Sequence, residues 1–300
     1  MLDFHTPTLE DKEWVDEVLA HSRHRGCVYT FAQLYLWSIH YGTKICRFGD
    51  CLLGMNGRTC CCYIYPGGRY DIADVVAALR EDAARRGVGF GFCVVEDWQA
   101  DELDSAFPGV FERHESRDDC DYIYNAQDLI TLAGRKYHGK RNHISRFTRE
   151  HPEWSYEPIT AENTAECIEA CHIWHDAQHQ EDESLETSQG LAAERSIIEK
   201  ALTERELLGL NGGLIRWDGK VIAFTLGERL NSDTYVIHFE KALPGFEGAY
   251  AVINNQFASN ELTGYRYIDR EEDLGLEGLR KAKLSYYPEI LLQKYTLTER

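Results

Sequence analysis

One order of secondary-structure elements, written twice along the 300 residues, limits the possible folds more than any other feature of the sequence. Thr8 is placed to cap a helix in which Trp14, Val15, Val18 and Leu19 recur at helical spacing, and Phe31, Leu34, Tyr35 and Ser38 mark a second. Short strand candidates follow at about 44–48, 51–55 and 60–65, separated by Gly49-Asp50 and Asn56-Gly57, pairs that tolerate the positive φ of tight hairpin turns. An amphipathic helix at about 72–86 leads through Gly87 into the apolar strand 90–95, followed by a helix near Ala100 and strand-like segments near Phe111 and Tyr122. The second half repeats the order. Helices at about 161–179 and 191–207 precede strands 213–217 and 221–228 around Asp218-Gly219, then a strand at 234–239, a loop with Pro244, Gly245 and Gly248, a helix at 249–260, a strand at 265–269, a helix at 276–284 and a strand at 290–297. This predicts an N-terminal domain at 1–125, a connecting helix at 126–150 and a C-terminal domain at 151–300. Identity between the halves is not evident, so the duplication rests on element order alone.

Composition narrows the class of partner. Hydrophobic residues make up 43% and charged residues 27%, enough apolar surface for packed cores. The net charge is -18, divided evenly at -9 before residue 126 (12 basic, 21 acidic) and -9 after it (20 basic, 29 acidic). Such a field repels nucleic acid and anionic membrane at long range unless a local patch reverses it, so no DNA partner is expected. No run approaches the length of a membrane span and no cationic start precedes an apolar stretch, so membrane insertion and secretion are not expected. Ten cysteines in such a chain read as reduced thiols of a cytoplasmic protein. Consecutive Cys60, Cys61 and Cys62 alternate faces on a strand and cannot converge on one metal.

The repeated order is that of the GCN5-related acyltransferase fold, in which a mixed sheet splays between its fourth and fifth strands and a donor enters the gap. The stretches Thr30-Phe31-Ala32-Gln33-Leu34-Tyr35-Leu36-Trp37, Gly134-Arg135-Lys136-Tyr137-His138-Gly139-Lys140-Arg141-Asn142-His143, Gly212-Gly213 with Asp218-Gly219-Lys220, His238-Phe239-Glu240-Lys241-Ala242 and Leu279-Arg280-Lys281-Ala282-Lys283 before Tyr287-Pro288 make the resemblance more specific. They resemble the bacterial family named after the C-terminal catalytic domain of phosphatidylglycerol lysyltransferase, over nearly the whole chain. The resemblance implies an α/β (α+β) protein of two tandem GCN5-related N-acyltransferase-like domains, each a mixed, mostly antiparallel sheet flanked by helices. It also implies the transferase chemistry shared with Fem-type aminoacyl ligases, with aminoacyl-tRNA or acyl-coenzyme A as a co-substrate rather than a resident cofactor. It fixes neither donor nor acceptor; a soluble acceptor is expected because no anchor is visible.

Candidate anion-binding residues fall in three places. The segment from Arg135 to Arg149 carries Arg135, Lys136, Lys140, Arg141, Arg146 and Arg149 without an acid, a local reversal suited to phosphate; Lys140, Arg141 and Asn142 are its donor-binding candidates. The loop from Lys241 to Gly248 precedes a helix whose N-terminal N–H groups favour an anion, although Glu247 and Pro244 spoil a pyrophosphate cradle and count against coenzyme A. Arg280 and Lys283, three apart, share a helical face and complete the anionic site. For the chemistry, transfer needs a base, and strand alternation puts His238 and Glu240 on one side, with Asp269 beyond a neighbouring strand. Cys167, Cys171 and His175 recur every four residues, yet no fourth ligand accompanies them, and they read as buried small residues rather than zinc ligands. A non-catalytic ligand-binding or regulatory protein on the same fold is the alternative reading.

Overall fold

A computed structural model describes residues 2–57, 62–181 and 185–300, the side chains of 179–181 and 185–189 excepted; Cys60 and Cys61 lie outside the described residues. Strands run in chain order as β1 (Lys44–Phe48), β2 (Cys51–Asn56), β3 (Cys62–Gly68), β4 (Gly91–Glu96), β5 (Phe111–Glu115), β6 (Asp121–Asn125), β7 (Ser155–Pro158), β8 (Asn211–Trp217), β9 (Lys220–Arg229), β10 (Thr234–Ala242), β11 (Tyr267–Asp269), β12 (Ile290–Leu292) and β13 (Lys294–Glu299). Helices are α1 (Lys12–Leu19), α2 (Phe31–Leu36), α3 (Ser38–Tyr41), α4 (Ile72–Arg86), α5 (Asp97–Ala106), α6 (Ala126–Thr131), α7 (His138–Glu150), α8 (Thr164–Glu181), α9 (Leu185–Thr203), α10 (Arg205–Leu208), α11 (Ala249–Glu261) and α12 (Glu277–Leu284). The fold is α/β, with two mixed, mostly antiparallel sheets flanked by helices, as the repeated order and the family resemblance imply.

The local signals act where the sequence puts them. Thr30 caps α2 by accepting from the Gln33 N–H at 3.3 Å, and Asp71 caps α4 by accepting from Ala73 at 2.8 Å. Gly87 ends α4 in the left-handed conformation at φ 69°, which a Cβ would oppose. On α4, Val75, Val76, Leu79 and Ala83 are buried in one core with Tyr63, Phe92, Val95 and Leu297. The second core gathers Phe147 of α7 and Ala249, Val252 and Ile253 of α11 with Ile215, Ile222 and Ala223 of the sheet.

The chain divides into two compact units, neither a contiguous half. The first comprises Met1–Tyr122, Glu271–Leu284 and Ile290–Arg300; the second comprises Ile123–Arg270 and Ser285–Glu289, and so includes α6 and α7 of the basic connector. In the first, β13 lies between β4 and β5, antiparallel to both, so the strand expected at 290–297 divides: Ile290–Leu292 (β12) joins the edge of the second sheet beside β6, and β13 completes the first. In the second, Ile123–Asn125 of β6 pair antiparallel with β11. Each sheet then has the same internal step. After an antiparallel run, β3 meets β4 in parallel through Tyr63 and Ile64 only, and β10 meets β11 in parallel through Thr234–Val236 only. Beyond those short ladders the strands part.

Close strand approach in the second sheet depends on Gly227, where an added Cβ would sit 2.1 Å from the Val236 carbonyl oxygen and 2.6 Å from the Tyr235 ring. Gly227→Ala should lower stability by about 1–3 kcal/mol through overpacking, whereas Gly264→Ala, which meets nothing within 4 Å, should stay within about 0.5 kcal/mol. Urea unfolding of both variants checks this; equal losses would show that the approach at Gly227 does not constrain the sheet.

Candidate functional site

In the second unit, β10 outruns its parallel partner β11 from Ile237 to Ala242, and its register against β9 shifts between Ile237 and Phe239, a bulge at His238. Bulges redirect side chains. His238 is buried and shares a hydrogen bond of 3.0 Å with Glu228 on β9, whereas Glu240 is held by Arg270 at 2.7 Å and by the Asn254 amide of α11 at 3.1 Å. Asp269 ends β11 wholly buried. From α7, Lys140 places Nζ 3.7 Å from the centroid of the Tyr286 ring, and the Arg270 guanidinium lies 5.0 Å from the same ring. Burial, and then the charge of Arg270, bring the Lys140 ammonium down to about 8 against the opposing pull of Glu240. The result is an amine that exchanges its proton near neutral pH.

The loop after β10 is built around α7. Gly248 precedes α11 at φ 94°, and a Cβ there would fall 2.7 Å from the His143 carbonyl oxygen, so glycine lets the two helices approach. Glu247, which argues against a pyrophosphate, is paired with Arg146 at 2.7 Å. Lys241 donates to Glu194 at 2.8 Å and lies 3.8 Å from the Trp174 ring centroid. His175 is buried beside Glu194, and burial takes its imidazole down to about 4, a neutral ring at physiological pH. Cys167 and Cys171 are buried thiols pushed up by burial to about 12.

In the first unit the densest charge chemistry is buried. Lys294 of β13, 2% exposed, reaches Asp121 at 2.7 Å, contacts Glu272 and lies 3.7 Å from Cys27 Sγ. The Cys27 N–H also donates to Asp121 at 3.1 Å. Burial alone would depress the ammonium, but Asp121, Cys27 and Glu272 outweigh it and push Lys294 up. Burial drives Asp121 up to about 7 despite the lysine, while Glu272, opposed by burial, is drawn down by Lys294. Cys27, Asp121 and Glu272 bring ligand atoms within 4.8 Å of one another, but the ammonium already serves all three as their cation.

The sequence profile described as phosphatidylglycerol lysyltransferase, C-terminal, matches residues 19–298. The chain belongs to that family. A conserved protein of unknown function from Bacteroides thetaiotaomicron VPI-5482 shares 36% identity with full coverage of both chains and a TM-score of 0.94. The C-terminal domain of a putative lysylphosphatidylglycerol synthetase from Agrobacterium fabrum superposes with a TM-score of 0.69 at 14% identity, covering 97% of this chain and 92% of that one. L-PGS from Bacillus licheniformis gives a TM-score of 0.67 at 15% identity, covering 96% and 92%. These two establish likeness of fold. An uncharacterized protein of Mycoplasmoides gallisepticum is 25% identical over 185 residues, 61% of this chain and 56% of that relative, so the match spans little more than half of its length.

Within this family fold the anticipated site residues are divided between the two units. Lys140, Arg141, Asn142, His238, Glu240, Lys241, Gly248 and Asp269 belong to the second unit, whereas Arg280 and Lys283 on α12 belong to the first. Arg141 donates to the carbonyls of Leu132 and Gly134, and Asn142 bonds His138 at 3.2 Å. Arg280 is engaged by Asp273 at 2.8 Å and Asp118 at 2.5 Å, and Lys283 donates to the backbone carbonyls of Glu271 and Glu272. The hydrogen bonds from Arg280 and Tyr122 hold Asp273 far below the ordinary carboxylate range. Cys27, Asp121, Glu272 and Lys294 were not anticipated, because they come from four separate segments with no shared spacing. The available signal was Lys294 itself, a lysine directly after the short run Ile290-Leu291-Leu292-Gln293 and between that run and Tyr295.

Two outcomes follow for the buried lysine. Lys294→Met strands buried carboxylates and should cost about 3–5 kcal/mol. Asp121 lies above its ordinary 3.8, at about 7, so folding takes up a proton between those values; that contribution is complete below 3.8 and is lost as pH rises through 7. Asp121→Asn should flatten the corresponding fall in stability between pH 4 and 7 in a series of denaturant titrations. Parallel wild-type and variant curves would refute the proton uptake.

Proposed function

We propose that the protein transfers an acyl or aminoacyl group from an activated carrier to a soluble amine or hydroxyl acceptor in the cytoplasm, with the parting of β10 and β11 as the reacting region. Family membership supports the reaction class, and the single observation that supports this location is Lys140, a half-buried amine brought down to about 8 beside Arg270 and Tyr286. In the proposed step the acceptor attacks the carbonyl of a tRNA ester or a thioester, forming the new C–N or C–O bond as the carrier C–O or C–S bond breaks. Lys140, neutral in an appreciable fraction near pH 7–8, takes the acceptor's proton and returns it to the departing oxygen or sulfur. Glu240 and Arg270, fixed to each other at 2.7 Å, set the charge around that amine and act as positioning residues. Lys140, expected from the sequence to bind donor charge, thus becomes the base in place of His238, whose ring is already committed to Glu228.

With purified protein and radiolabelled aminoacyl-tRNA pools or acyl-coenzyme A, label should move to an added amine at a rate that climbs with pH through about 8. Lys140→Met should lower that rate by roughly 10²–10⁴-fold and abolish the rise. A variant with an unchanged pH profile would remove Lys140 from the reaction, and absence of transfer from either donor class would remove the reaction itself.

A further inference from the structure

A cavity of about 270 Å³ lies in the first unit where β3 and β4 part after their two-residue ladder. Leu34, Trp37 and Ile64 give it apolar walls, Tyr41 lies against Trp37 with ring centroids 5.5 Å apart, and its polar end carries Asp119, Glu272 and Lys294. At roughly 30 Å³ per water it has room for about nine water-sized groups, a small molecule.

The charge of an occupant follows from what the polar end can still accept. Lys294 is already shared between Asp121 and Glu272, so an arriving anion would meet the negative charges of Glu272 and Asp119 before any uncommitted cation. The two lining carboxylates against one lining ammonium leave that end net negative. Tyr41 registers the same field: burial first, then Glu272, Glu271, Cys27 and Asp119, push its hydroxyl up to about 12. Faces of tryptophan and tyrosine attract cations, and the adjoining apolar wall suits an alkyl body. An ammonium with a short hydrocarbon chain satisfies both ends; a carboxylate on the same chain suits the apolar wall and is repelled at the polar end.

We propose that this cavity is a binding site for a small primary amine with an apolar body, its ammonium held by Glu272 and Asp119 and its body against Trp37 and Leu34. The site uses none of the residues assigned to group transfer and does not rest on that reading.

Pentylamine is the probe, with 1-pentanol and pentanoate as its neutral and anionic counterparts, titrated onto the full chain by saturation-transfer difference NMR without any acyl donor. Pentylamine should bind at least tenfold more tightly than either counterpart. Asp119→Asn and Trp37→Leu should each weaken it by several-fold; Asp119 is exposed and apart from the Lys294 contacts, so its variant remains informative if Glu272→Gln fails to fold. Equal binding of the three compounds, preference for pentanoate, no binding of pentylamine, or an affinity unmoved in both variants overturns the site. Failure of transfer by Lys140→Met, or by the wild type, has no bearing on these readings.

Discussion

An ammonium buried as deeply as that of Lys294 persists only if the charges around it repay its lost hydration, and the first unit is arranged to do so. Asp121 from β6, Glu272 from the segment before α12 and the thiol of Cys27 meet the lysine of β13. Four stretches of chain, distant in sequence, are thereby tied at one point. Replacing such a cluster with apolar groups can be harmless, but removing one partner leaves a charge with nowhere to go. The cluster is therefore better understood as a fixer of chain path than as a source of net stability, since β13 cannot shift by one residue without turning its lysine to the other face.

Two lysines in this protein show how neighbours decide what burial does. Lys294 sits among carboxylates that overcome its burial and push it up, whereas burial, reinforced by the neighbouring guanidinium of Arg270, brings Lys140 down to about 8. The first is a permanent cation inside a fold; the second is poised to trade a proton. Each belongs to a unit whose sheet opens after a short parallel ladder, at β3 and β4 in one and at β10 and β11 in the other. The repeated architecture thus carries different chemistry in its two copies.

Much of the architecture is legible in the sequence because turns, caps and periodicity act over a few residues. Asp71 and Gly87 bracket α4, and Asp218-Gly219 turns β8 into β9. What the sequence conceals is pairing between distant segments. Arg280 and Lys283 share a helical face as expected, yet their partners, Asp118, Asp273 and two backbone carbonyls, decide what they do. The bulge at His238 is likewise hidden in the sequence, and it interrupts the two-residue period on which strand alternation depends. The destination of β13 follows from neither propensity nor pattern, since any half-buried strand of that composition fits either sheet.

That placement sets a clock on synthesis. β13 fills the space between β4 and β5, and its Thr298 meets His114 across 184 residues of chain. At ribosomal speeds of roughly 5–20 residues per second, β4 and β5 wait about 10–40 s after their own emergence for the strand that joins them. During that interval each offers an unpaired edge to any other nascent strand. The second sheet has β6 to β11 earlier and awaits only the edge strand β12, whereas the first lacks an interior strand. The first-made unit is therefore the last to gain its interior strand, and the edges of β4 and β5 stay open until the ribosome has delivered it.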